Sequence, residues 1–124
     1  MTELTRIRGI RGAITIPANT AEDIREGTQE LLQELLRRNS LAPKDIISAI
    51  FTVTKDIDAA FPATFARQLG WDRVPMLCLN EMPVPGSLPL CIRVLLHVET
   101  SLTQEEIQPV YLREAVNLRR DLME

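Results

Sequence analysis

Residues 74–97 read V-P-M-L-C-L-N-E-M-P-V-P-G-S-L-P-L-C-I-R-V-L-L-H, two apolar runs joined by a loop rich in proline. The pattern predicts two β-strands with a stiff connection between them. Each run carries a charged residue that a buried strand does not need, Glu81 at the end of the first and Arg93 inside the second. Charged side chains are almost never fully buried unless they are paired. Arg93 therefore predicts a bound anion, supplied by the protein or by a ligand.

A second arginine of this kind lies upstream, in residues 6–16, which read R-I-R-G-I-R-G-A-I-T-I. The alternation predicts a strand whose two faces carry Ile10, Gly12, Ile14 and Ile16 on one side and Gly9, Arg11, Ala13 and Thr15 on the other. Small residues flank Arg11 on its own face and leave room for a ligand against the guanidinium. One alternative is that Arg11 lies on a solvated edge beside a glycine bulge. A second is an arginine–glycine segment that binds nucleic acid, but the stretch is too short and too apolar for that.

The composition is that of one globular domain over residues 1–124, with 45% hydrophobic and 25% charged residues. A net charge of −3 argues against general nucleic-acid affinity, which usually needs a basic face. No apolar run reaches the roughly 18 residues of a membrane helix, and the first residues contain no apolar signal segment. We therefore expect a cytoplasmic protein without a membrane or nucleic-acid partner.

The cysteine and histidine content predicts neither a disulfide nor a metal site. Cys78 and Cys91 both lie in the apolar runs, and without a secretory signal we expect both thiols to be reduced. The single histidine, His97, has no Cys/His cluster near it in the sequence, so we expect no zinc site. His97 could act as a base at its strand end, or it could be a surface or hydrogen-bonded core residue.

The longest predicted element is an amphipathic helix, which Thr20 caps and which ends near Asn39. Gly27 inside this helix predicts close packing against a strand. Five shorter elements follow: a strand at 46–53, a helix at 62–69, strands at 74–79 and 90–98, and a helix after residue 101 that begins with capping-box patterns and is limited by a proline.

This order of elements predicts an α+β domain, with helices packed on one face of a single sheet. The other sheet face is also apolar in places, and no helix remains to cover it. We therefore expect that face to be buried by self-association.

Six stretches, in order and with compatible spacing, resemble the monofunctional bacterial chorismate mutases of the trimeric, mixed α/β class. They are R-G-I-R-G-A at 8–13, A-F-P-A at 60–63, P-x-x-C-x-x-E-M at 75–82, C-I-R-V at 91–94, V-Y-L at 110–112 and L-R-x-D-L at 118–122. No single stretch is specific, but together they cover nearly the whole chain.

The resemblance implies a Bacillus chorismate mutase-like fold with a single mixed β-sheet, assembled as a pseudo-α/β-barrel homotrimer with an active site at each subunit interface. It also implies a mobile C-terminal tail at about residues 115–124. The implied activity is the conversion of chorismate to prephenate, toward phenylalanine and tyrosine. That reaction is a one-substrate Claisen rearrangement without cofactor, metal or covalent intermediate.

Carried over by position, the resemblance implies a catalytic set of Arg93, Glu81 and Arg11. Arg93 lies beside the breaking ether oxygen, and Arg11 and Tyr111 hold a substrate carboxylate. Glu81 and Cys78 meet the ring hydroxyl, Cys78 partly through its backbone. The remaining implied substrate contacts are Phe61, which lines the pocket from the neighbouring subunit, and Arg67, Leu118 and Arg119, near the mouth and the tail.

Three alternatives belong to other functional classes. The first is a trimeric small-molecule-binding protein of the same architecture without catalysis, and the second is an imine-hydrolysing trimer. The third is a regulatory ligand-binding module of ferredoxin-like type. Glu81 and Tyr111 beside two strand arginines favour the mutase, because a plain carboxylate-binding module needs neither the glutamate nor paired arginines.

Overall fold

The structure is a computed structural model that describes residues 4–118. Five strands and two helices follow one another in the order β1 (Arg6–Thr15), α1 (Ala21–Arg38), β2 (Ile46–Val53), α2 (Pro62–Arg67), β3 (Met76–Asn80), β4 (Cys91–Thr100) and β5 (Val110–Leu112). The strands form one sheet in the order β3-β2-β4-β1-β5. β4 is antiparallel to both β1 and β2, whereas β3 is parallel to β2 and β5 is parallel to β1. The predicted single mixed sheet is confirmed.

Helix α1 begins and ends where the sequence predicts. The Thr20 hydroxyl accepts a hydrogen bond from the Asp23 backbone N–H at 3.1 Å, and Asn39 is the C-cap. An N-cap of this type satisfies one of the unpaired N–H groups of the first turn. Glu22 in the first turn and Arg37 in the last complement the helix dipole.

Two glycines let α1 lie close against β1. A Cβ atom at Gly27 would lie 2.6 Å from Ile16 Cγ2, and one at Gly12 would lie 2.8 Å from Leu35 Cδ1. A larger residue at Gly27 would press on the β-branched Ile16 side chain, and one at Gly12 would displace the end of the Leu35 side chain. The predicted packing of Gly27 against a strand is confirmed.

Both helices pack on the same face of the sheet and form the main core with it. From α1 the buried apolar residues are Ile24, Leu31, Leu32 and Leu35, and α2 adds Ala63, Phe65 and Ala66. The sheet contributes the inward residues of β1, β2, β4 and β5, such as Ile14, Phe51, Leu96 and Val110. None of the described helices is both long and apolar enough to cross a membrane.

Several element boundaries differ from the prediction. Strand β3 starts two residues later than residue 74, and β4 continues to Thr100. A 3-10 turn at Pro43–Asp45 precedes β2. Helix α2 ends at Arg67, and the chain turns back at Gly70, where φ is +93° and glycine is favoured.

The helix predicted after residue 101 is wrong. Thr103 and Glu106 do exchange capping bonds, from Thr103 N to Glu106 Oε1 at 2.9 Å and from Glu106 N to Thr103 Oγ1 at 3.2 Å, but the segment forms only one turn. The Gln104 side chain instead pairs with both backbone groups of Gly9, at 2.7 and 3.2 Å. This tether, together with Pro109, leaves no length for a helix.

Strand β5 (Val110–Leu112) was not predicted as a strand. It pairs with β1 over only three residues, from Gly12↔Val110 to Ile14↔Leu112. Buried Asn39 holds the approach to it, accepting from the Gln108 backbone N–H at 2.7 Å and donating to the Gln108 carbonyl at 2.9 Å. A three-residue strand has too little periodicity to be read from sequence.

The second sheet face, which we call the open face, carries no α-helix within residues 4–118, and only the 3-10 turn Arg113–Asn117 packs on it, through Ala115. The residues exposed there include Ile7, Leu77, Leu79 and Leu95, with 65%, 61%, 50% and 37% of their surface accessible. Apolar patches of this kind mark interaction surfaces. The predicted division into a covered and an uncovered face is confirmed.

Candidate active site

The register of the open face brings Arg93 and Tyr111 together although they lie on strands that are not neighbours. Arg93 on β4 and Tyr111 on β5 are both partners of Ala13, which lies on β1 between them. Side chains in directly opposed positions lie about 5 Å apart. Because Ala13 has only a methyl group, a gap opens between the guanidinium and the phenol ring.

Arg11 borders the same gap from the next row, opposite Leu95. The gap is a depression of about 300 Å³, lined by Arg11, Gly12, Ile50, Thr52, Arg93, Val94, Leu95 and Tyr111. Two arginines on two rigid strands therefore face one space, as the sequence predicts. The residues that line this depression include two arginines and no acidic residue, so its charge favours an anionic ligand. One carboxylate contacts Arg93 from outside this lining.

That carboxylate is Glu81, which directly follows β3. Its backbone N–H continues the sheet by donating to the Val53 carbonyl at 2.9 Å. Its Oε1 atom lies 2.5 Å from Arg93 Nε, yet the buried Nε–H forms no aligned hydrogen bond. The two side chains therefore form an ion pair in which the Arg93 Nε–H does not point at the carboxylate oxygen. Another residue fixes the orientation of the Glu81 carboxylate.

That residue is Thr52, which was not among the site residues predicted from the sequence. Thr52 Oγ1 donates to the same Glu81 oxygen, Oε1, at 3.1 Å. Thr52 is also the cross-strand partner of Arg93. One hydroxyl in the apolar run I-I-S-A-I-F-T-V gives no signal by itself, but its place opposite Arg93 would have identified it once the strand register was known.

Tyr111 is held in a small second core on the open face. Only 4% of its surface is exposed, and it packs with buried Ala13, Cys91 and Ala115, with Leu118 at the margin. Burial raises the pKa of the Cys91 thiol to about 11, and the neighbouring Arg93 opposes that shift only partly. Cys91 is therefore a neutral thiol near neutral pH. Neither it nor Cys78 is in a disulfide, as the sequence predicts.

Phe61 and Cys78 lie elsewhere on the chain. They line a different depression of about 360 Å³, along the free edge of β3. Phe61 is 68% exposed, at the N-cap of α2. The Cys78 side chain packs toward the helix-covered face. A single chain thus does not bring these two predicted site residues together with the arginines.

The remaining predicted residues that the structure describes do not line the arginine depression. Arg67 is exposed at the end of α2, where its Nη2 donates to Thr64 Oγ1 at 3.4 Å, and it lines neither depression. Leu118 is the last residue of the described range, and Arg119 lies outside it. His97, considered as a base, pairs through Nδ1 with Ser48 Oγ at 3.0 Å and does not line the arginine depression.

The fold and the depression together define an α+β protein with a candidate site for an anionic ligand, lined by two arginines, on the open face of its sheet. Residues 7–122 match the family described as Chorismate mutase type I. The chain belongs to that family, and the resemblance seen in its sequence is confirmed.

Individual relatives agree with this assignment. The chain is 51% identical over 117 residues to chorismate mutase AroH of Thermus thermophilus, covering 94% of this chain and 96% of that protein. It is 44% identical over 117 residues to chorismate mutase AroH of Bacillus subtilis (strain 168), with coverages of 94% and 92%. A solved structure, chorismate mutase from Clostridium thermocellum Cth-682, superimposes with a TM-score of 0.85 at 53% identity, covering 86% of this chain and 96% of that one.

Proposed function

We propose that this protein is a chorismate mutase that rearranges chorismate to prephenate, for phenylalanine and tyrosine biosynthesis in the cytoplasm. The reaction makes it an isomerase of the intramolecular transferase type, and it needs no cofactor. The observation that carries the proposal is the depression in which Arg11, Arg93 and Tyr111 surround one space, with Glu81 held against Arg93.

Binding comes first, because the substrate is a dianion whose enolpyruvyl ether must fold over its ring. Arg11 and Tyr111 hold one carboxylate at the β1 and β5 side of the depression. Confinement between strands then holds the two reacting ends of the substrate in the right orientation, and this can remove a large part of the activation barrier. Groups on strands position a ligand more accurately than groups on loops do.

Arg93 acts on the bond changes themselves. The ether C–O bond breaks ahead of C–C bond formation, and negative charge grows on the ether oxygen. A fixed guanidinium beside that oxygen binds the transition state more tightly than the substrate. Glu81 accepts a hydrogen bond from the ring hydroxyl and fixes the ring relative to Arg93. No proton is transferred and no nucleophile is required.

We further propose that the site is completed by a neighbouring subunit in a homotrimer of the pseudo-α/β-barrel type. Two observations support this. The open face exposes Leu77, Leu79 and Leu95 in one sheet, and the depression at Phe61 and Cys78 is separate from the arginine depression in one chain. In the trimer Phe61, Cys78 and Arg67 would come from the neighbour, with Leu118 and Arg119 at the mouth of the site. The tail expected from residue 115 onward would be mobile only beyond Ala115, because that residue is fully buried in the second core.

The direct test is the ultraviolet absorbance of chorismate, which falls as the substrate is consumed. We expect purified protein to remove this absorbance and to yield prephenate, with Arg37→Ala on the outer face of α1 as an active control. A protein that binds chorismate in calorimetry but leaves the absorbance unchanged would instead be the non-catalytic binding protein. Hydrolysis of an imine substrate, without action on chorismate, would indicate the imine-hydrolysing trimer.

A further inference from the structure

We infer that Thr52 is a positioning residue that keeps Glu81 from closing a two-hydrogen-bond fork on Arg93. This inference rests on the proposed function, because it assigns a part in the same site to a residue outside the predicted set. The inference is based on one carboxylate oxygen that contacts both Thr52 and Arg93. Glu81 Oε1 accepts a hydrogen bond from the Thr52 hydroxyl at 3.1 Å and lies 2.5 Å from Arg93 Nε.

Without Thr52, Glu81 and Arg93 would be free to form their preferred contact. An arginine and a carboxylate at this distance prefer the fork of two parallel hydrogen bonds, which is the strong geometry for such pairs. The structure does not contain that fork. The closest approach is at Nε, and the Nε–H is buried without an aligned acceptor. Something therefore holds the carboxylate out of the plane in which the fork would close.

Thr52 is the residue that restrains the Glu81 carboxylate. Its hydroxyl has one hydrogen to donate, and that hydrogen is directed to Oε1. Its backbone is fixed between Leu79 and Arg93 as their cross-strand partner. Glu81 has no comparable anchor beyond its own backbone bond, since it is followed by the loop in which Met82 is 80% exposed.

The restraint on Glu81 matters for catalysis because it leaves both side chains available to the substrate. A fork between Glu81 and Arg93 would occupy both carboxylate oxygens and turn the guanidinium away from the ligand. By holding Oε1, Thr52 leaves Oε2 for the ring hydroxyl and the terminal Nη groups for the ether oxygen. Thr52 lines the depression itself, so the restraint acts at the site and not through a distant part of the fold.

The experiment is Thr52→Val, which keeps the shape of the side chain and removes the hydroxyl. We expect kcat for chorismate to fall about tenfold with KM changed less than about threefold, because the loss is in transition-state stabilisation. Thr52→Ser restores the hydroxyl and should recover most of kcat. Thr28→Val is the matched control, because the Thr28 hydroxyl is buried without a partner and lies outside the depression. It should leave kcat unchanged.

A double-mutant cycle separates positioning from a structural effect. In a Glu81→Gln background we expect Thr52→Val to cost less than about twofold, since the carboxylate that it restrains is gone. An equal cost in both backgrounds, or an unchanged kcat in Thr52→Val, overturns the inference. If the valine variant does not fold, Thr52→Ala is used in the same cycle.

A crystal structure of the Thr52 variant gives a readout independent of turnover. We expect Glu81 to have swung so that both of its oxygens bond Arg93. A Glu81 side chain in its original position would refute the inference even if activity had fallen. If the wild-type protein does not consume chorismate at all, the proposed function fails, while this structural readout still tests the role of Thr52.

Discussion

Arg93 lies on a rigid strand, and its charge and its shape can be tested separately. Replacing it with citrulline by amber suppression or semisynthesis keeps the planar group and removes the charge. We expect kcat to fall at least about 10²-fold, the typical cost of losing one donor to a developing oxyanion. Substrate should still bind within about tenfold, because Arg11 and Tyr111 remain to hold a carboxylate. The measurements are kcat from chorismate absorbance and Kd from calorimetry.

Citrulline at Arg37, an exposed helix position, is the control for the substitution itself and should change neither constant. A variant with citrulline at position 93 that turned over at the wild-type rate would reduce Arg93 to a positioning role. Confinement alone would then have to account for the acceleration.

Cys91 predicts a measurable alkaline dependence of stability. Burial raises its pKa from the ordinary 9.0 to about 11. As the pH rises through that interval, the unfolded thiol ionises while the folded thiol stays protonated, so the free energy of unfolding falls. We expect the wild type to lose up to about 1.4 kcal/mol per pH unit more than Cys91→Ala over this range. Urea unfolding at several pH values measures the difference.

Cys78→Ala is the comparison, because it removes the half-buried thiol and leaves the buried Cys91 in place. Its variant should keep the wild-type slope. Identical slopes for the wild type and Cys91→Ala would show that the Cys91 thiol is not protected by burial in solution.

At the scale of residues, sequence reasoning succeeded where a charge conflicts with its surroundings. Arg93 and Glu81 could be recognised as candidate site residues because charged side chains are unusual in apolar strands. Arg11 could be recognised because small residues flank it on its own face. Thr52 was missed because a hydroxyl in a β-branched run conflicts with nothing. Its role follows from a strand register, which sets three-dimensional neighbours that no local pattern contains.

The contact between α1 and β1 makes propensity and packing compete at one position. Gly27→Ala should gain about 1 kcal/mol in helix propensity. The added Cβ would lie 2.6 Å from Ile16 Cγ2, and overpacking of this kind costs about 1–3 kcal/mol. We therefore expect net destabilisation of up to about 2 kcal/mol, measured by denaturant unfolding.

Ile16→Ala removes the obstructing methyl group, so it supplies the control. The double variant Gly27→Ala/Ile16→Ala should be more stable than the sum of the single effects predicts. If Gly27→Ala alone stabilised the protein, helix α1 would not be seated on the strand as closely as described.

At the scale of elements, length decided what could be predicted. Helix α1 and strands β1, β2 and β4 have enough residues for a period to be recognised. Strand β5, with three residues, does not. The helix expected after residue 101 failed for a different reason: its capping chemistry is real, but Gln104 is tied to the β1 edge through Gly9.

The proposed trimer predicts that two defective chains can repair each other. Arg93→Ala removes one side of the site, and Phe61→Asp puts a repelling charge on the other side. Each variant alone should be nearly inactive. Coexpressed in equal amounts, they should recover about a quarter of the wild-type activity, since one interface in four of a randomly mixed ring pairs two intact sides.

The readout is chorismate turnover by the coexpressed sample, with light scattering to verify three chains per particle. Mixtures of each variant with itself are the controls. Coexpression without any gain in activity, or an active monomer, would contradict a site shared between subunits.

The position of β1 in the sheet also determines when the protein can fold during its synthesis. β1 is the first strand to be made, yet both of its neighbours, β4 and β5, come from the last third of the chain, as in the pairing Arg6↔Thr100. Such distant pairing makes closure slow and keeps intermediates open to aggregation. While synthesis has not yet reached Cys91, β1 is therefore unpaired on both edges in the nascent chain. Any factor that shelters this protein as it is made would have to cover that first strand.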